Sequence, residues 1–374
     1  MAAEAPLLLH AFSTLAMGGP QRRFVQIANA FGPRYRHAIV AMDGNTQSLA
    51  DLSPDVAFEV VAPPVAKGGG LSLGTLRAIA GVIRNRKPDL LLSYNWGAIE
   101  WALVNRLLRA VPQLHCEDGF GPEESGTRQI PRRVWTRRLG LGGRCDLIVP
   151  SHTLETIARR VWHIPARRCH LIPNGIELDR FAAAEPLATP FGSDRTVIGT
   201  IGMLRQEKNI GRLLRAFATL EDLPVSLAIA GSGPTLAALQ AESRRLGLGE
   251  RVAFLGHTDT PERAQAAFDL FALSSDTEQM PYSVIEAMAA GLAVVATDVG
   301  DVRQMLAPAI ADECVVAKDD EAGFAARLRW LAGDAAARAR IGEANRAHVR
   351  ATYGIDRMLE AWDSLIGAKI AAGR

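Results

Sequence analysis

The stretch Asp269-Leu270-Phe271-Ala272-Leu273-Ser274, followed by Glu278-Gln279-Met280-Pro281-Tyr282-Ser283-Val284-Ile285-Glu286 and then by Leu292-Ala293-Val294-Val295-Ala296-Thr297, decides how this chain is read. The first and last segments are short, almost continuous apolar runs, the pattern of strands buried on both faces. Between them, Pro281 suits the first position of a helix, where a missing N–H costs nothing, and the helix continues as Ala287-Met288-Ala289-Ala290-Gly291. Strand, helix, strand is the repeating unit of a doubly wound parallel sheet.

The same alternation extends in both directions. Downstream of a turn signal at Pro173-Asn174-Gly175, and after an Ala- and Pro-rich linker over Phe181–Asp194, strands are expected at Thr196–Ile201, Ser226–Ala230, Val252–Leu255 and Cys314–Ala317. Helices are expected near Gly211–Leu220 and Leu236–Leu246, and the tail Glu321–Ile370 reads as helical with breaks near Gly333 and Gly354. Upstream, strands are expected at Leu7–Phe12, His37–Met42, Asp89–Tyr94, Gln113–Cys116 and Asp146–Ser151, with helices over Pro20–Phe31 and Ala98–Arg109. The reading is α/β: two Rossmann-like domains, 1–180 and 190–355, with 356–374 as a C-terminal helix that is a candidate to pack back on the first. Open α/β sheets bind ligands beyond the carboxyl ends of their strands, and two facing domains make a cleft.

Composition narrows the class. A hydrophobic fraction of 48% with 22% charged residues is that of an ordinary globular protein with material for two cores. No run of about 18 apolar residues suggests a membrane span. The apolar start, Met1 to Phe12, lacks a positive leading region and reads as a first strand rather than a signal peptide. Cys116, Cys145, Cys169 and Cys314 show no metal-ligand spacing, which fits buried thiols in a reducing cytoplasm. The net charge of +2 conceals an asymmetry: 22 Lys and Arg against 16 Asp and Glu in residues 1–190, and 20 against 24 in the remainder. A near-neutral balance gives little support to nucleic-acid binding. The basic residues cluster at Arg128, Arg132, Arg133, Arg137 and Arg138 around Trp135, either a solvated helix face or a contact for anionic lipid headgroups or a phosphorylated acceptor.

Four motifs carry chemistry. A helix starting at Pro281 aims the N–H groups of Tyr282 and Ser283 at an anion, while Glu278 ahead of it and Glu286 inside it suit vicinal diols, since a carboxylate accepts two hydroxyl hydrogen bonds. In Gly199-Thr200-Ile201-Gly202-Met203-Leu204-Arg205-Gln206-Glu207-Lys208-Asn209, a strand ends on glycines and two cations follow, suited to a diphosphate; the simpler alternative is a charged turn capped by Asn209. Gly18-Gly19-Pro20 after the first strand would let backbone approach a sugar or phosphate. His115 ends a strand and precedes Glu117 and Asp118. The G-x-G-x-x-G fingerprint is absent after the first strand, which disfavours a dinucleotide-dependent oxidoreductase.

Taken together the motifs resemble the glycosyltransferases of the GT-B fold, in the large retaining family conventionally numbered four, over nearly the whole chain. Gly18-Gly19, Leu171 to Ile176 with Phe181, Ala230-Gly231-Ser232-Gly233-Pro234, Phe254-Leu255-Gly256, Glu278 to Glu286 and Gly291 to Gly300 are similar to that family's ordered motifs. The resemblance implies that Glu278 contacts the donor sugar, Glu286 the ribose diol, and the backbone over Met280, Pro281, Tyr282 and Ser283 the diphosphate. Arg205 and Lys208 carry its charge beside Gly202, Gly256 lies near the base, and His115 lines the sugar from the other domain. Catalytic roles would fall to Glu278, His115 and Lys208, and acceptor-side roles to Glu117 and Asp118, near Gly18-Gly19 and Glu123-Glu124. Two positions depart from the pattern: Met203 stands where the family often has Arg, leaving Arg205 as the substitute, and Gln279 where Gly is common.

The implied activity is transfer, with retention, from a UDP- or GDP-type sugar to an acceptor hydroxyl on a glycan or lipid-linked acceptor, in cell-surface polysaccharide or glycolipid synthesis. The location is cytoplasmic, with peripheral contact at the inner face of an anionic membrane. No D-x-D-type acidic segment stands out and the cations already supply charge, so neither a metal nor another cofactor is expected. The competing readings are an epimerase of the same fold and a non-catalytic sugar-nucleotide-binding partner.

Overall fold

The computed structural model describes residues 4–65, 68, 72–120, 123–124, 128–143 and 145–373. They form two compact units, Met1–Pro173 with Met358–Arg374, and Asn174–Arg357.

The first unit is built on β1 (Leu7–Phe12), β2 (Arg36–Ala41), β3 (Ala57–Val60), β4 (Leu90–Tyr94), β5 (Gln113–Cys116), β6 (Cys145–Val149) and β7 (Cys169–Leu171), in the order β3-β2-β1-β4-β5-β6-β7. All pairings are parallel, with Leu8 opposite Leu90 and Ser93 opposite His115. Strand order reverses between β1 and β4, the switch point of a doubly wound sheet. The central strands are the apolar runs that sequence predicts, and β4 is buried along its full length. β3 and β7 were not expected. β3 is an exposed edge whose Glu59 interrupts any apolar run, and β7 is three residues long, so neither carries a strand signal.

Helix α1 (Gly19–Phe31) starts behind Gly18 with a proline in its first turn and buries Phe24, Val25, Ile27 and Phe31. Helix α2 (Ile99–Leu108) precedes β5, and α3 (Pro131–Gly140) precedes β6.

The second unit holds β8 (Thr196–Ile201), β9 (Val225–Ala230), β10 (Val252–Gly256), β11 (Leu270–Leu273), β12 (Ala293–Thr297) and β13 (Val315–Val316), in the order β10-β9-β8-β11-β12-β13, again all parallel. Its switch point lies between β8 and β11. Helix α4 (Ile210–Ala218) follows β8 and α5 (Tyr282–Ala290) follows β11. The core between sheet and helices contains Leu213, Phe217, Ile229, Phe271, Val284, Val294 and Ile341. Each such side chain contributes roughly 1.5–3 kcal/mol when fully buried.

Residues 174–180 belong to the second unit rather than the first. Asn174 donates from its backbone to Met280 Sδ at 3.2 Å and from Nδ2 to the Met280 carbonyl at 3.1 Å, and Ile176 exchanges backbone hydrogen bonds with Tyr353 and Ile355. The last helix, α6 (Ile355–Gly373), runs from the second unit into the first. There Trp362 lies under the Arg23 guanidinium at 5.7 Å and Lys369 Nζ contacts Asp146 at 2.7 Å.

Among the described residues no helix is long and apolar enough to cross a membrane. All four cysteines are free and buried, and burial pushes the Cys145 and Cys314 thiols up to about 12.

Candidate active site

In the second unit the carboxyl ends of β8 and β11 are joined by a polar lattice. Ser274 Oγ donates to the Lys208 carbonyl at 3.0 Å, and the Asp276 amide to the Glu207 carbonyl at 2.8 Å. Asn209 adopts a left-handed backbone (φ 42°) and accepts from the Arg212 amide, capping α4. Arg212, almost fully buried, donates to the Ser274 carbonyl at 2.7 Å and to Asp276 at 2.7 Å. Lys208 and Glu278 are thereby brought together from 70 positions apart: Lys208 Nζ donates to Glu278 Oε1 at 2.5 Å, and Ser275 Oγ donates to the same oxygen at 2.7 Å. Ser275 is itself fixed, because Thr297 Oγ1 donates to its carbonyl at 2.6 Å. A small cleft at this switch point is lined by Ile201, Gly202, Met203, Lys208, Ser274 and Ser275.

Two glycines are required by close approach. A Cβ on Gly231 would collide with the Gly202 carbonyl, and one on Gly300 (φ 56°) with the backbone of Glu278 and Gln279. The Asp301 amide donates to the Gln279 carbonyl at 2.9 Å, so the loop after β12 holds the glutamate loop in place.

Pro281 and Arg205 differ from what sequence suggests. Helix α5 begins at Tyr282 with Pro281 at the N-cap, one residue earlier than the first-turn position assigned to it. The Met280 side chain is buried in the core with its sulfur against Asn174, so only its backbone is available to a ligand. Glu286 is buried within α5. Arg205 is exposed and turns toward Met203 Sδ, 2.8 Å away, and Glu207, 3.8 Å away, so it is not gathered with Lys208 and Glu278. Gly256 ends β10 in a left-handed conformation and its carbonyl accepts from the Gly231 amide at 2.6 Å. Ser275, Arg212 and Thr297 were missed; the only signal for any of them was the Ser274-Ser275 pair at a strand end.

In the first unit Gly18 caps α1 in an extended conformation and Gly19 begins the helix. The three polar candidates, His115 within β5 and Glu117 and Asp118 after it, are all engaged inside the unit. His115 has no exposed surface; its Nδ1 lies 2.8 Å from Ser93 Oγ and its Nε2 3.5 Å from Glu117 Oε2. Glu117 is fully buried. Burial pushes its carboxyl up, but Arg137 and His115 outweigh that and hold it below the usual carboxylate range. Asp118 pairs bidentately with the buried Arg23 at 2.5 and 2.9 Å, and its amide is held by Asn95 Oδ1 at 2.7 Å.

The expected basic face is therefore largely consumed. Arg137 is 0% exposed, 3.3 Å from both Glu117 and Glu124, and stacked against Trp96, Phe120 and Trp162. Arg133 pairs with Glu123 and Glu124, and Arg138 donates to the Val161 carbonyl. Glu124 also accepts from the Ile130 amide at 2.9 Å, so it supplies the cap that the α3 N-terminus lacks. What α3 leaves outside is Arg132 with Trp135 and Leu139, the last two 60% and 57% exposed.

Among the described residues no group of three or more His, Cys, Asp or Glu side chains could hold a metal ion.

Two parallel sheets, each with a switch point, and a Lys–Glu pair at the second of them place the chain in the class of doubly wound α/β proteins with a polar site at the strand ends, and comparison with known proteins identifies the family. Residues 17–180 match the glycosyltransferase family 4 profile and residues 185–348 the glycosyl transferases group 1 profile, and the chain belongs to this family of GT-B glycosyltransferases. It is 35% identical over 244 residues to a D-inositol 3-phosphate glycosyltransferase of Mycobacterium sp., covering 59% of this chain and 55% of that protein. It is 28% identical over 212 residues to the lipopolysaccharide core biosynthesis mannosyltransferase LpcC of Rhizobium leguminosarum bv. viciae, covering 53% and 60%. The alignments thus span little more than half the length of these relatives. HepE of Anabaena, solved in complex with UDP, superposes with a TM-score of 0.79 at 19% identity over 97% of this chain and 100% of that one, a likeness of fold.

Proposed function

We propose that the chain transfers a glycosyl group from a nucleoside-diphosphate sugar to an acceptor hydroxyl, with retention at the anomeric carbon and without a metal or other cofactor. The Lys208–Glu278 contact at the second-unit switch point carries this reading. When the anomeric C–O bond breaks, negative charge collects on the leaving diphosphate and positive charge on the sugar ring. Lys208 and the N–H groups at the start of α5 meet the first, and preorganised donors of this kind supply a large share of rate enhancement. Glu278, already held by Ser275, accepts hydrogen bonds from sugar hydroxyls once Lys208 turns to the phosphates. The acceptor oxygen forms the new bond on the face the diphosphate leaves, and a diphosphate oxygen takes its proton. The charge supplied by Lys208 at the cleft supports a metal-free mechanism. Complexes of the fold neighbour HepE with UDP and with UDP-glucose support a uridine nucleotide donor.

The acceptor is a glycan or a lipid-linked glycan, engaged by the first unit, and the pathway is the assembly of cell-surface polysaccharide or lipopolysaccharide. The similarity to LpcC, a lipopolysaccharide core biosynthesis mannosyltransferase, supports this assignment. The exposed Arg132, Trp135 and Leu139 on α3 support peripheral contact at the cytoplasmic face of an anionic membrane, with the aromatic and aliphatic groups entering the headgroup layer.

A thermal-shift screen against UDP, GDP, ADP and their sugar conjugates, with and without magnesium, tests the donor site, because a ligand that binds only the native state raises its stability. Stabilisation by one nucleotide family without magnesium is expected. No shift with any of them at concentrations well above ordinary affinities overturns the assignment.

A further inference from the structure

A second, larger cavity of about 290 Å³ lies in the first unit at the amino-terminal edge of its sheet, away from the strand ends that open α/β folds use for their substrates. Gln113 and Cys145, the first residues of β5 and β6, form its floor with Asn105, and Arg106 and Arg109 from the end of α2 stand in its wall.

The floor is buried and polar. Asn105 Nδ2 donates to Gln113 Oε1 at 3.0 Å, and Asn105 Oδ1 and Nδ2 also bond the Val111 backbone. Gln113 Nε2 in turn donates to Ser93 Oγ at 3.0 Å. The two arginines are exposed, and among the described residues neither makes an ion pair with a carboxylate. Gly142 makes room for Arg106: a Cβ there would overlap the guanidinium. Arg109 is turned into the wall by a left-handed backbone (φ 50°) at the end of α2. Among the described residues no carboxylate lines the cavity, and burial keeps the Cys145 thiol neutral. Two forked cations over a neutral floor whose amides are bonded among themselves, in a volume near the lower end of small-ligand sites, suit an anion that accepts several charge-assisted hydrogen bonds from the arginines.

We propose that this cavity binds a small phosphorylated ligand, a phosphate monoester or a diphosphate, through Arg106 and Arg109. Ser93 Oγ accepts from Gln113 and lies 2.8 Å from His115 Nδ1, and His115 Nε2 lies 3.5 Å from Glu117 Oε2. Asn105, Gln113, Ser93, His115, Glu117 and Arg137 thus form a continuous buried polar chain beneath the loop after β5. The simpler account, that the arginines only offset the negative end of the α2 dipole, predicts lost helix stability on their removal and no anion binding.

The proposal stands apart from the donor assignment, and calorimetric titration of the full chain with pyrophosphate, at fixed ionic strength, separates the two. A Lys208→Ala variant should still bind one pyrophosphate, and adding Arg106→Gln and Arg109→Gln should weaken that binding by roughly tenfold or more. Circular dichroism checks that each variant is folded, and Arg109→Gln alone replaces the double change if it is not. Parallel titration with inorganic phosphate distinguishes a monophosphate from a diphosphate site, tighter binding of either being support. Binding by Lys208→Ala that is unchanged when both arginines are removed, or no binding by Lys208→Ala, overturns the proposal. Wild type and Lys208→Ala binding pyrophosphate identically would instead leave it standing and count against Lys208 as a donor contact.

Discussion

Lys208 Nζ lies 2.5 Å from Glu278 Oε1, and Ser275 Oγ shares the same oxygen, so the carboxylate is oriented without any ligand. The lysine is about a quarter exposed, and a pair wetted in this way contributes little to stability. The contact is therefore better explained by positioning than by folding.

Glu278→Gln should lower kcat/KM for sugar transfer by roughly 10²–10³-fold, the scale of losing one preorganised polar contact in a transition state. Its melting temperature should stay close to wild type. Near-normal turnover would remove Glu278 from the site.

Gly300→Ala tests the support of the same loop. The substitution adds a Cβ against the backbone of Glu278 and Gln279 at a residue with φ 56°. It should cost about 1–3 kcal/mol in stability and reduce transfer in parallel. A stable, fully active variant would show that the loop does not depend on this packing.

Arg137→Met should destabilise the protein by about 3–5 kcal/mol in urea unfolding, because it leaves Glu117 and Glu124 buried without their shared cation. Adding Glu117→Gln should recover part of the loss. If the single substitution is silent, the internal ion-pair cluster does not contribute as described.

Trp135→Ser with Leu139→Ser should leave unfolding unchanged, since both side chains are more than half exposed, while weakening sedimentation with vesicles containing anionic lipid. Retained vesicle binding would exclude this face of α3 as the membrane contact.

Acid sensitivity should originate at His10 and His37. His10 Nε2 lies 3.0 Å from His37 Nδ1 and Nδ1 lies 3.0 Å from the Tyr94 hydroxyl, inside the first unit's core. Burial lowers both groups, His37 to about 4, and at His10 the neighbouring His37 lowers it further. The unfolded chain takes up protons below about pH 6.5 where the folded chain does not. Stability is therefore complete above that pH and falls as pH drops from about 6.5 towards 4, with a slope approaching about 1.4 kcal/mol per unit for each histidine. Urea midpoints measured between pH 7.5 and 5 should show this decline, and His37→Gln should flatten it. An unchanged slope in the variant would place the acid response elsewhere.

Much of the fold is legible in the amino-acid sequence for local reasons. Leu7–Phe12, Asp89–Tyr94 and Asp269–Ser274 are strands because both faces are apolar, and the turn residues between them mark where polar groups collect. The period reveals nothing of β3, whose Glu59 lies at an exposed edge, or of a unit boundary decided by the bonds of Asn174 to Met280. At the site, Lys208 and Glu278 were legible as residues of two strand-end loops, but Ser275, which orients one of them, was not.

What the sequence alone determined is the α/β alternation, its restart in the second half and the loops that carry chemistry, because hydrophobic period and turn geometry depend on neighbours a few residues apart. What the tertiary structure decided is which charges remain available. His115, Glu117, Asp118 and Arg137 look equally free in sequence, yet Arg23 reaches Asp118 across 95 positions and Arg137 reaches Glu117 across 20. Removing a carboxylate from water is tolerated only beside a cation with matching geometry, and that geometry exists only once the sheet is assembled.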